Sequence, residues 1–320
     1  MEKRVLPLMK TRSFAMRKLT ILVLTLAFAA VSALGQAPTL RIVQPDGPDL
    51  PAELFYGDIK VKPLRLRPGT NTPITINDAD FFASQHYLDF FARFPDQGGF
   101  DYWTNQIASC MNTPGCNVLG RKVGVSAAFF IENEFQQTGY FVYKIFKATL
   151  NRQPTYAEFK PDRRVVSGGS TIAAGKAALA AAFVQRPEFG LKYQNDTTRE
   201  AFVQAVITTV QQTSGVTLSS QPLLDAYTAG GRAAVVSAVA DDPAFSQAEY
   251  NRAFVAMQYW GYLVRDYDQG GYNFWVGIVN NPSVATYRSM VCAFITSREY
   301  QERFGNTLFY TDRDCSNINQ

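Results

Sequence analysis

Phe82 to Trp103 and Phe254 to Trp275 align without a gap at an offset of 172 residues. They agree at Phe82/Phe254, Tyr87/Tyr259, Arg93/Arg265, Asp96/Asp268, Gln97/Gln269, Gly98/Gly270, Gly99/Gly271 and Trp103/Trp275. At Phe90/Tyr262, Phe100/Tyr272 and Tyr102/Phe274 one aromatic replaces another. An internal repeat of this kind restricts the fold to stacked copies of one supersecondary unit.

The unit reads as a helical hairpin. Ala83, Tyr87, Phe90, Phe91 and Phe94 recur at the spacing of one helix face, as do Val255, Tyr259, Tyr262 and Leu263. Pro95-Asp96-Gln97-Gly98-Gly99 then breaks the helix, its glycines supplying backbone angles that other residues avoid. Asp96 and Asp268 are placed to cap the next helix, whose inward face carries Phe100, Trp103 and Ile107, matched by Tyr272, Trp275 and Val279. Arg93 and Arg265 are expected in the last turn of the first helices, where a cation suits the helix dipole. Asn77 and Asp78 read as caps of the first hairpin, and Leu119 to Gln137 as one helix with Val123, Ala127, Phe130 and Ile131 on one face.

This pattern, with Ala128 to Gln136 (AFFIENEFQ) and Ala293 to Tyr300 (AFITSREY), resembles the bacterial domain of unknown function 4214 (DUF4214) over residues 78–305. The resemblance implies a secreted or surface-associated helical protein, distantly like the phycobilisome linker domains, which are scaffolds. It brings no catalytic residues.

A degenerate second copy follows 59 residues after the first, through Phe141, Phe146, Arg152, Pro154 and Phe159. Phe183 to Phe189 keeps the Phe-x4-Glu-Phe spacing of Phe129 to Phe135, and a weaker third copy runs from Phe202 to Phe245. The expected architecture is all-α: helical hairpins, about a dozen helices, packed into one globular domain. Copies fall near 81–136, 141–190, 202–246 and 254–304, behind a proline-rich extended linker at 36–77 and ahead of a C-terminal tail at 306–320. Leu40 to Val43 and Ile59 to Val61 are candidate short strands in the linker.

Arg17-Lys18, an uncharged run from Leu19 to Ala33 and the small-x-small Ala33-Leu34-Gly35 read as a secretory signal peptide over residues 1–35, with Met16 as an alternative start. Residues 1–35 hold six Lys or Arg and one acid, which leaves 25 of 31 basic and 26 of 27 acidic residues. The remaining chain is near neutral, so its charge gives no reason to expect nucleic acid as a partner. No later segment is apolar enough to span a membrane. The four cysteines fit export. The turn-rich loop between Cys110 and Cys116 favours that pair, leaving Cys292 with Cys315, out of three possible connectivities.

The chemistry-bearing residues are sparse. His86 is the single histidine and reads as a core or surface residue, with Gln258 at the matching position. Ser170 to Ala177 mimics a phosphate loop but has its first glycine out of frame and Ala177 in place of the magnesium-holding hydroxyl. Glu132 and Glu134, or Asp241 and Asp242, point apart on a helix and make no acid/base pair. Asp266-x-Asp268-x-Gly270 is a calcium-loop fragment without its distal glutamate, better read as capping. The aromatic stripes read as core rather than as a carbohydrate platform. No catalytic, cofactor or metal residue is assigned and no cofactor is expected. The expected function is that of an exported, non-enzymatic interaction module for an envelope protein or glycan. A secreted, glycan-active hydrolase using carboxylates gathered by folding is the alternative, and a structural envelope component a third reading.

Overall fold

A computed structural model describes residues 40–43, 53–56, 59–61, 67, 69–281, 287–305 and 307–318. The signal peptide expected at 1–35 lies outside them. The chain divides into two units, residues 1–63 and 64–320.

The first unit contains a three-stranded antiparallel meander: β1 (Leu40–Val43), β2 (Glu53–Tyr56) and β3 (Ile59–Val61). Leu40 pairs with Tyr56, and Tyr56 with Ile59. The expected linker therefore carries a sheet whose middle strand, Glu53–Tyr56, the sequence reading overlooked. Only Gly57-Asp58 separates β2 from β3, the short Gly-containing spacing of a hairpin.

The second unit is all-α. Its helices are α1 (Ala79–His86), α2 (Gln97–Met111), α3 (Val118–Ile131), α4 (Asn133–Gln137), α5 (Gly139–Leu150), α6 (Tyr156–Ser167) and α7 (Ile172–Phe183). They continue as α8 (Pro187–Lys192), α9 (Arg199–Ser214), α10 (Ser220–Ala240), α11 (Pro243–Gln258), α12 (Gln269–Val279), α13 (Tyr287–Thr296) and α14 (Arg298–Glu302). Helix α10 bends at Gly230-Gly231, where Gly231 has φ 63°, a conformation that costs glycine little.

One device recurs four times. Glu132, Arg186, Asp242 and Ser297 are extended residues, with ψ of 138°, 140°, 127° and 144°, each opening a new helix. Three residues on, Phe135, Phe189, Phe245 and Tyr300 are buried to within 1% exposure. The break at Glu132 is why Leu119 to Gln137 forms two helices rather than one. Ile131, expected on the buried face, is left 65% exposed at the end of α3.

A second device recurs three times. Helix α1 widens into a π turn at Tyr87–Phe91 and stops at Ala92, φ 57°. Helix α11 does the same at Tyr259–Leu263 and Val264, φ 58°. Helix α5 stops at Asn151, φ 57°, with no π turn. Arg93, Arg152 and Arg265 come next, beyond the helix rather than in its last turn. Extrapolating the helical period past this stop is what placed Phe94 inside, and it is 72% exposed.

The caps at the break are local. Asp96 Oδ1 accepts the Gly99 N–H at 2.9 Å and Asp268 Oδ1 the Gly271 N–H at 2.7 Å. None of Gly98, Gly99, Gly270 and Gly271 has a positive φ, so their role is not the one expected. A Cβ on Gly99 or Gly271 would run into the hydroxyl of Tyr87 or Tyr259, whereas Gly98 and Gly270 meet only a capping oxygen at 3.5 Å. Asp78 stands at the N-cap of α1 but turns its carboxylate to Thr75 and Arg67.

The first and last hairpins meet like against like. Phe90 and Tyr262, matched at the 172-residue offset, stack edge to face at 5.2 Å. Contact between equivalent residues is the signature of an approximate two-fold arrangement. Phe129 lies beside Tyr87, Phe91 and Trp103. Trp103 and Trp275, expected in the core, are half-buried at its edge. Disulfides join Cys110 to Cys116 and Cys292 to Cys315. The second holds the 3-10 turn Asp312–Asn317 against α13, and Ile318 is buried. The expected C-terminal tail is thus packed where it is described.

Candidate functional site

Helix α2 starts at the Asp96 cap and carries Tyr102 and Trp103 on its second turn. Trp103 packs on Phe129 at 5.2 Å, and Tyr102 meets it edge to face at 4.8 Å with its own ring 56% exposed. The last hairpin repeats the arrangement: Trp275 on Phe294 at 5.9 Å, and Phe274 beside it, 59% exposed. The two then diverge. The offset is 172 at Trp103/Trp275 but 165 at Phe129/Phe294, so the α2–α3 connection is seven residues longer than its counterpart. The Cys110–Cys116 disulfide closes that extra loop on itself.

A groove of about 440 Å³ lies beside this loop. Tyr102, Trp103 and Gln106 line it from α2, Cys116 from the loop, Arg121 from α3 and Arg288 from α13. Arg288 donates from Nη2 to the Gly120 carbonyl at 2.9 Å. It lies over Gly124, where even an added Cβ would stay 3.6 Å from Nη1. Arg121 makes only a long contact, 3.5 Å, to Gln106 Oε1. Both guanidinium groups are on exposed residues, and the described lining includes no carboxylate. The hairpin match does not demand these residues: Ile278, Thr286 and Val123 occupy the positions matching Gln106, Arg121 and Arg288.

The matched arginines do other work. Arg93 grips Glu134 through Nε and Nη2, both at 2.6 Å, and Nη1 donates to the Phe94 carbonyl at 3.0 Å. Arg152 holds Glu188 at 2.8 and 2.6 Å and donates to the Gln153 carbonyl. Arg265 holds Glu299 at 2.5 and 3.0 Å and donates to the Asp266 carbonyl. Each guanidinium lies over the ring of Tyr87, Phe146 or Tyr259. The left-handed residue before each arginine turns it back to a glutamate 41, 36 or 34 residues on. The third segment has neither partner: Val216 follows its left-handed Gly215, and Ala244 precedes Phe245. Sequence reasoning saw the recurrent arginine and the recurrent Glu-aromatic but did not pair them.

The remaining candidates are structural. His86 is fully buried. Its Nδ1 lies 2.8 Å from the Phe82 carbonyl and so carries the proton, leaving Nε2 to accept from Ser126 Oγ at 2.6 Å. Ser126 in turn bonds Tyr262. Burial pushes the imidazole down to about 4. This His–Ser–Tyr chain is sealed in the core. Lys176 of the phosphate-loop mimic pairs with Asp241 at 2.9 Å, and a Cβ on Gly175 would strike the Val166 backbone of α6. Asp266 accepts the Tyr156 N–H at 2.6 Å. Among the described residues no group of three His, Cys, Asp or Glu is arranged to hold a metal. Among the described residues carboxylates gather on an arginine in two places, Asp78 and Asp80 on Arg67, and Glu158 and Glu188 on Arg152. The Arg152 hydrogen bonds hold Glu158 down to about 2 and lower Glu188 as well, so neither is tuned to give up a proton near neutrality. Lys122 is buried against Asn77, with Nζ 2.8 Å from its carbonyl and 2.7 Å from Oδ1. Burial pushes the amine down to about 7.

Fold and groove define an all-α domain of helical hairpins with an aromatic and basic concavity. Residues 237–304 match the model of a domain of unknown function (DUF4214), so the chain contains a DUF4214 domain. The match spans the last hairpin, from the end of α10 through the Arg265–Glu299 clamp. No curated protein and no solved structure matches the chain. No described helix is long and apolar enough to cross a membrane.

Proposed function

We propose that the protein is an exported, non-enzymatic helical module that binds an envelope protein or glycan through the groove between α2, α3 and α13. The observation that carries this reading is the groove's chemistry: an exposed tyrosine and two exposed arginines, with no carboxylate in the described lining. Such a surface offers stacking and charge-assisted hydrogen bonds to a ligand. The basic-then-apolar N-terminus and the two disulfides support export. The recurrent breaks and clamps support descent of the four helical segments from one repeated unit.

Pull-down from native envelope fractions tests the reading. Wild-type protein should retain a component that Arg121→Ala/Arg288→Ala protein loses while melting normally. Equal retention by both would remove the groove from the proposal. A glycan-active hydrolase needs an acid of raised pKa near its partner base, and the Arg152-bound glutamates do not supply one.

A further inference from the structure

We propose that the groove takes an acidic saccharide, a pyranose chain bearing carboxylates. Arg121 and Arg288 would receive a carboxylate, while Tyr102 and Trp103 lie against a sugar face. This rests on the interaction-module reading and narrows its ligand. The planar fork of a guanidinium matches a carboxylate in two parallel hydrogen bonds. Arg288 is already steadied by the Gly120 carbonyl, which spends one of its donors and lowers the cost of ordering the rest. Tyr102 and Trp103 present rigid, amphipathic rings that bind with little loss of side-chain freedom. The Gln106 amide suits hydroxyls, because it both donates and accepts.

The hairpin match supplies an internal control. Residues shared by the first and last hairpins cap, clamp and pack. Gln106, Arg121, Arg288 and the disulfide-closed loop depart from the match and meet at one concavity, whereas other departures, such as His86, Asp89 and Phe94, lie away from it. Two arginines, in residues 36–320 that carry 25 basic and 26 acidic side chains, do not make the basic track that a nucleic acid backbone needs. An acidic peptide would want a deep apolar pocket for an anchoring side chain, and this groove is bordered by one exposed and one half-buried ring instead.

Titration calorimetry on the purified full chain tests the assignment. The probes are oligogalacturonate, oligomannuronate and hyaluronate oligosaccharides, the methyl ester of each, and a polyglutamate peptide of similar charge. At least one uronate should bind, with its ester about tenfold weaker. Arg121→Ala and Arg288→Ala should each weaken it about tenfold and Tyr102→Ala roughly fivefold. Phe274→Ala, at the matching position of the last hairpin, should change nothing. Equal binding of acid and ester, insensitivity to the three groove variants, binding of the peptide alone, or failure of all three uronates overturns the proposal. A reducing-end assay on the same mixtures separates the two readings. Cleavage overturns the non-enzymatic module, whereas uncut and unbound saccharide overturns only the choice of ligand.

Discussion

The first and last hairpins share their cap, clamp and ring, yet differ at the residue before the π turn. His86 donates from Nδ1 to the Phe82 carbonyl at 2.8 Å, and Gln258 donates from Nε2 to the matching Phe254 carbonyl at 3.2 Å. The common requirement is a buried side-chain donor aimed one turn back. The identity of that donor is free, and only one choice titrates. The framework thus tolerates chemical change wherever geometry is kept, which is also the rule at the groove.

The largest effect should come from the contact that joins the hairpins. Phe90→Ala and Tyr262→Ala should each cost about 3–5 kcal/mol by chemical denaturation. Because they share one contact, the double variant should lose less than the sum. A cost under about 1 kcal/mol at either position would break the symmetry of the pair.

The histidine sharpens the comparison through pH. Its folded value of about 4 lies below the ordinary 6.5, so the unfolded chain binds the proton first. Stability is therefore fully present above pH 6.5 and is lost as pH falls from there towards 4, by on the order of 3 kcal/mol. His86→Gln, which copies the last hairpin, should remove that portion of the slope. Parallel acid-melting curves for the two proteins would show that His86 does not drive it.

The glycines come next. Gly99→Val and Gly271→Val should each cost about 1–3 kcal/mol, because the added side chain displaces the hydroxyl end of a tyrosine whose ring is packed in the core. Gly98→Val and Gly270→Val should stay within about 0.5 kcal/mol. Equal effects at all four would restore a backbone-angle explanation.

The smallest effect concerns the left-handed stop. Val264→Gly should raise stability by about 0.5–1 kcal/mol, since a β-branched residue is strained there. Asn151→Gly should be nearly neutral, because asparagine accepts that conformation. Thermal melts of both variants decide it.

What the sequence discloses follows the range of each interaction. The hairpins and the Asp96 and Asp268 caps were readable because a cap is set within three residues. The stop at Ala92 and Val264 was not, because neither residue advertises a positive φ as glycine or asparagine would. The clamps span tens of residues, and their one signal was the glutamate that keeps preceding a buried aromatic. The groove left a trace in the shift of offset from 172 to 165. Arg288, however, reaches it only through the packing of α13 on α3, which no local pattern encodes.

The Phe90–Tyr262 contact also sets a timetable. At about 5–20 residues per second of synthesis, the first hairpin emerges roughly ten seconds or more before the residue that covers it. Loop-closure cost grows only logarithmically with length, so waiting, rather than distance, is the obstacle. Until the last hairpin arrives, His86 and Phe90 lack the Tyr262 ring that packs on them. A chain cut short of Tyr262 lacks the ring that packs edge to face on Phe90.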